Sequence, residues 1–341
     1  AIGLPLSAWI VEGRDWHTLF WVAAGLAALV LLSAWFLVPH VRDAAPGRFD
    51  VVGAVGLSVG LVSFLIGISK ASTWGWTDPK TLGAMVAGLL VLLAWGFHQV
   101  RTDQPLVDLR TTARLPVLMT NIAAVAVGFG MMAQAIVVPQ LLELPEITGY
   151  GLGQSILAAG LWMAPSGLMM LLFAPVSARL IRTIGAKRTL MVGATVLGSG
   201  YVLGFFLMSA PWQLMVACIV ASAGVGIGYA AMPTLIMDNV PMTEAASAVG
   251  VNGLMRSIGT TTAAAVMATV LTSSTMQVGD FALPTESAFR WCFGLGALAA
   301  FLGVAIAAFI PRRETTVTEP VAPGVPEAQS SQSDPAAHAQ R

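Results

Sequence analysis

Charge is what this sequence has least of. Only 10% of its 341 residues are Asp, Glu, Lys or Arg, against 56% hydrophobic, and the mean hydropathy is +0.79. A water-soluble domain carries roughly 25% charged residues, so the chain cannot cover a water-facing surface and its main solvent is lipid. The net charge is zero, which leaves no basic field for nucleic acid. Cysteine is nearly missing: Cys218 and Cys292 stand apart in apolar stretches, excluding a disulfide framework or thiolate metal spacing. Four scattered histidines, His17, His40, His98 and His338, form no metal set, and no cofactor is expected. A membrane enzyme would need a carboxylate cluster, a His/Cys set or a serine with a base at shared depth. The sequence offers none of these, so the chain is not expected to be an enzyme.

What the sequence has in abundance is apolar length. About 20 apolar residues cross a bilayer core, and charge-free windows of that order run over 16–41, 51–69, 81–100, 115–142, 147–178, 189–237, 257–279 and 291–311. The window 189–237 is too long for one span and divides at Ser209-Ala210-Pro211, where proline removes a backbone donor. Nine complete spans result. The stretch 1–11 is apolar but short, has no Met at position 1 and no basic residues before it, so it does not read as a signal peptide. It reads as the remainder of a helix whose start lies upstream.

Lys and Arg set orientation. One set of loops holds Arg42, Arg48, Arg101, Arg110, Arg114, Arg179, Arg182, Lys187, Arg188, Arg312 and Arg313; the other holds Arg14, Lys70, Lys80 and Arg290. The first set is expected on the cytoplasmic side, with the C-terminus. Trp74, Trp76, Trp212 and Trp291 then fall near the outer face, where an aromatic belt belongs. Residues 314–341, rich in Pro, Ser, Ala and Gln, are expected to be a disordered cytoplasmic tail.

Polar groups inside spans are candidates for function, because leaving them unpaired in hydrocarbon is costly. Span 115–142 carries Asn121, Gln134 and Gln140. Either they line a pathway or they bond between helices. Thirteen residues separate Asn121 from Gln134, about 20 Å of helix rise, so the two do not share one binding point. Arg256 is expected at the cytoplasmic edge, since 257–279 spans unaided, with Asp238 as its partner; a helix begun at a Thr243 cap would instead put it roughly 20 Å in. Gly56/Gly60, Gly200/Gly204 and Gly224/Gly228 each place two glycines one turn apart on one face, suiting close helix packing. Met131, Met132, Met163, Met169 and Met170 read as core or lipid-facing residues, with a soft pocket as the alternative.

Several stretches together resemble the major facilitator superfamily, in its drug:proton antiporter branch with fourteen spans. GLPLSAWI, with Gly3 and Pro5, resembles the end of the branch's fifth-helix antiporter motif. There Leu4 separates the Gly and Pro, and Ser7-Ala8 stand in place of small glycines. DWHTLFW resembles the entry to the sixth helix, with His17 where Arg is frequent. QPLVDLR is similar to the stretch leading into the C-terminal bundle. ARLIRTIGAKR looks like the second cytoplasmic loop signature. Gly185, Lys187 and Arg188 fit, and Arg182-Thr183 replace its Asp-Arg pair. NGLMRSIG, with Arg256, resembles a segment of the penultimate helix.

The resemblance implies an all-α integral-membrane bundle of ten segments, the first partial. Residues 1–41 would be the rest of an N-terminal bundle, 51–100 two extra central helices and 115–311 a complete C-terminal six-helix bundle. It implies a multi-pass protein of the plasma membrane that exports hydrophobic or cationic drug-like molecules in exchange for protons, by alternating access. Lipid, protons and a small-molecule substrate would be its partners, with no nucleic acid and a monomer as the expected state. Cavity-facing helices would give Asn121, Gln134, Gln140 and Tyr229 first claim as lining residues. Arg256, Asp238 and Glu143 remain as coupling or gating candidates, because the family's usual proton-coupling residues would lie upstream. A transporter of another metabolite, or a fragment inactive without its first four helices, is the alternative.

Overall fold

The computed structural model describes residues 6–7, 9–10, 15, 17–37 and 50–311; Gly3, Pro5 and the tail 314–341 lie outside them. The helices are α1 (His17–Leu37), α2 (Val51–Trp74), α3 (Pro79–Arg101), α4 (Leu109–Thr112), α5 (Leu115–Glu143), α6 (Ile156–Leu172), α7 (Ala174–Ile184), α8 (Ala186–Phe206), α9 (Pro211–Tyr229), α10 (Ala231–Met237), α11 (Ala245–Ser273) and α12 (Glu286–Ala308). Counting α6–α7 and α9–α10 as one segment each, nine helices among the described residues are long and apolar enough to cross a membrane. The protein is an all-α, multi-pass membrane bundle.

Local chemistry starts these helices where the sequence changes character. Pro79 and Pro211 occupy first-turn positions, where a missing N–H costs nothing. Asp78, Ser155 and Thr285 accept backbone N–H bonds from Lys80, Ala158 and Ala288 and so cap α3, α6 and α12. Between α11 and α12 a short antiparallel hairpin pairs β1 (Thr275–Val278) with β2 (Phe281–Pro284). Gly279, at φ +62°, makes its tight turn, and the Tyr150 hydroxyl donates to the Pro284 carbonyl.

This hairpin corrects one expectation. The penultimate span is not 257–279: residues 275–284 leave the helix, and α11 begins at Ala245. A charge-free window stops at Arg256, whereas the helix runs through it. That residue instead lies about 16 Å along α11 from its first residue.

The core lies where α5, α8, α9 and α12 meet, filled by Leu141, Leu197, Tyr201, Leu214, Phe289 and Phe293. Helix α5 also packs along α11, and α6 along α9. The α2–α3 hairpin docks through α2 onto α11, where the Trp76 indole donates to Thr269 at 2.9 Å. Helix α1 buries no residue. Trp74, Trp76, Trp212 and Trp291 are all at least 38% exposed.

A polar anchor holds the other end of that hairpin. The Asp50 carboxylate accepts from the Gly53 N–H at 2.7 Å and from the Gln99 amide at 2.6 Å. The Gln99 oxygen in turn accepts from the Val107 N–H at 3.1 Å. Asp50 precedes α2, and these donors hold its carboxyl below the usual carboxylate range. The Gly53 N–H contributes most, then Gln99, and His98 adds a smaller attraction; burial opposes them. A depressed folded pKa stabilises the fold above the unfolded value of about 3.9 and stops doing so as pH falls through the folded value. Asp50→Asn should therefore cost about 1 kcal/mol at pH 7. Thermal melts of the variant and parent should converge as pH drops below about 4; a constant gap would show the charge plays no part.

Candidate functional site

Two of the spans are broken, and the breaks touch. Helix α6 gives way to α7 at Phe173, next to Pro175, and α9 gives way to α10 at Ala230, ahead of Pro233. Proline cannot donate to the carbonyl four residues back and crowds it, which explains both interruptions. The backbones come close: a Cβ on Gly226 would lie 2.7 Å from the Met170 carbonyl oxygen. The buried Ser177 hydroxyl on α7 donates to the Ile227 carbonyl at 2.6 Å, in the last turn of α9. A side chain of one broken span thus bonds the backbone of the other at its break, as apolar surroundings require.

Tyr229 is the last residue of α9, and the Arg256 guanidinium lies over its ring, 4.6 Å from the centroid. Arg256 reaches there because α11 passes very near α5. A Cβ on Gly128 would sit 2.3 Å from the Arg256 carbonyl oxygen, and one on Gly259 would sit 2.1 Å from the Val125 carbonyl oxygen. One turn before Arg256, Asn252 donates to the Asn121 side-chain oxygen at 3.0 Å, both residues almost completely buried. These side chains form one polar track along the α5–α11 seam, ending at the α9 break.

The other candidates lie elsewhere. Gln134 bonds weakly to Ser222 at 3.4 Å. It lines a cavity of about 10 Å³ with Tyr201 and Cys218, space for one water at most. Gln140 and Glu143, in the last turn of α5, are exposed. Asp238 is exposed at the C-terminus of α10. The expected Asp238–Arg256 ion pair does not form; among the described residues Arg256 has no acidic partner. The depth of Arg256 within α11 separates it from that end. Met163 is buried and Met170 exposed.

The loop signature has a structural use. Gly185, at φ +85°, turns the chain from α7 into α8. Lys187 donates to the Ala308 carbonyl at 2.8 Å and to the Ile310 carbonyl, answering acceptors that the end of α12 leaves open. Arg188 is exposed. Sequence reasoning gave no role to Asn252, Ser177 or Ser222. Drawing the span from Ala245 would have flagged Asn252 as an intramembrane amide; a buried serine leaves no comparable mark.

Two broken membrane helices thus meet beside a half-buried cation and an aromatic ring, an arrangement of the kind found in membrane carriers. The family comparison agrees: the Major Facilitator Superfamily model matches residues 1–260 and 120–335. The chain belongs to the Major Facilitator Superfamily. It is 25% identical over 277 residues to the uncharacterized MFS-type transporter YhcA of Bacillus subtilis, covering 81% of this chain and 51% of that protein. It is 30% identical over 241 residues to the multidrug resistance protein B homolog of Mycobacterium tuberculosis, covering 68% and 43%. It is 27% identical over 285 residues to the tetracenomycin C resistance and export protein of Streptomyces glaucescens, covering 82% and 51%. The chain spans about half the length of these curated relatives.

Proposed function

We propose that the protein is a secondary transporter of the plasma membrane that exports drug-like small molecules in exchange for protons, by alternating access. The observation that carries this reading is the contact between two interrupted spans at Ser177–Ile227, with Tyr229 and Arg256 beside it. Discontinuous helices are where transporters of this kind place their substrate and coupling sites. The drug-like character of the cargo draws on the resistance and export names of two relatives. The C-terminus would be cytoplasmic, on the side richer in Lys and Arg.

The test expresses the complete gene in a host stripped of its own efflux pumps. Resistance to several unrelated hydrophobic drugs should rise, and everted vesicles should accumulate those drugs only while a proton gradient stands. A well-expressed protein that changes neither resistance nor accumulation for any drug would refute the proposal.

A further inference from the structure

Arg256 holds a charge within a membrane span, yet the described residues give it no acid. Such cations ordinarily pair or snorkel to the interface. Here the guanidinium is half-buried over the Tyr229 ring. A ring face offers the five guanidinium N–H donors no lone-pair acceptor. No side chain or carbonyl among the described residues accepts from them, and none of its nitrogens is both sealed from the outside and unpartnered. Among the described residues the donors are unspent and reachable.

The surroundings fix the backbone from which the group projects. Gly128 leaves no room between α5 and the Arg256 backbone, and Asn252, one turn earlier, is tied to Asn121. The cation is therefore presented from a rigid seam at the α9 break. A planar fork of donors beside an aromatic face matches a carboxylate or phenolate carried on a flat ring system: the oxygens take the donors and the ring takes the apolar wall. A cationic molecule meets the opposite conditions. It faces the like charge of the Arg256 guanidinium in a weakly screening site.

Resting on the transporter reading above, we infer that Arg256 and Tyr229 form a charge-selecting subsite. It favours aromatic substrates bearing an anionic oxygen and disfavours organic cations. This departs from the cationic part of the hydrophobic or cationic cargo that the family resemblance implies.

The test uses two dyes built on the same xanthene frame, anionic fluorescein and cationic rhodamine 123, with the protein from its complete gene reconstituted in vesicles. The parent should transport fluorescein about tenfold or more faster than rhodamine 123. Arg256→Gln should erase that preference by lowering fluorescein transport about tenfold, while rhodamine 123 transport holds or rises. Arg256→Lys, which keeps the charge and loses the fork, should retain part of the preference. It also guards against a variant that fails to fold. Equal loss of both dyes in well-folded Arg256→Gln would make Arg256 a packing residue and overturn the assignment. A parent that prefers rhodamine 123 overturns it too, while leaving the transporter reading intact. Failure of the parent to move either dye or any drug of the resistance panel sinks the transporter reading itself, and this inference with it.

Discussion

Gly259→Leu should leave no monodisperse, folded protein in detergent. A Cβ at position 259 would lie 2.1 Å from the Val125 carbonyl oxygen and 3.0 Å from the Phe129 amide nitrogen. Both obstacles are backbone, so no rotamer change relieves the clash; α5 and α11 must separate. Ordinary overpacking costs about 1–3 kcal/mol, and a contact that forces two helices apart belongs at or above the top of that range. Separation would also strand Asn121 and Asn252 and carry Arg256 off the Tyr229 ring. Gly250, on the same helix, is the control. A Cβ there meets nothing within 4 Å, so Gly250→Ala should be neutral or gain about 0.5–1 kcal/mol from helix propensity. Size-exclusion profiles and thermal melts of the two variants decide the matter. A monodisperse Gly259→Leu melting near the parent would mean that this seam is not tightly packed.

Asn252→Leu should cost about 1–3 kcal/mol, because it leaves the Asn121 oxygen buried without its donor. Asn121 and Asn252 are 3% and 1% exposed, so water cannot easily replace the lost bond. Asn121→Leu should cost less, since the Asn252 amide keeps a long 3.5 Å approach to the Thr120 carbonyl. The double variant replaces both partners by apolar groups and should cost less than the two single changes together. The expected coupling is about 0.6–2 kcal/mol, as for other hydrogen bonds between membrane helices. Unfolding titrations of the four proteins measure it. Strict additivity would show that the two amides do not act as a pair.

Much of the architecture was legible because apolar length and proline are local signals. The break before Pro211 and the four tryptophans near helix ends followed from composition alone. Paired glycines were legible too: Gly200 lies against Ala221 and Gly224 against Leu197, each within 2.5 Å of a backbone nitrogen for an added Cβ. The α5–α11 seam was not legible. It is built from one glycine on each helix, Gly128 and Gly259, and a lone glycine advertises no partner. Arg256 misled for a related reason. A charge reads as the edge of a span, whereas here an aromatic ring on another helix accommodates it inside one. The Ser177–Ile227 bond depends on two proline breaks meeting in space, which no single stretch of sequence encodes. Of the residues resembling family motifs, Lys187 was placed in a loop signature, and the structure adds its hold on the end of α12.

On the transporter reading proposed above, Tyr229 stands on a pathway opened to each side of the membrane in turn. Tyr229→Cys, in the protein from the complete gene, tests it with a membrane-impermeant maleimide applied to either face. The two thiols of this chain are shielded, Cys218 at 2% exposed and Cys292 at 0%, and the parent protein labelled in parallel supplies the background to subtract. Labelling is expected from both faces, with transported dye or a reversed proton gradient increasing one and decreasing the other. A thiol at position 229 that reacts from neither face, or always from the same one, would contradict it.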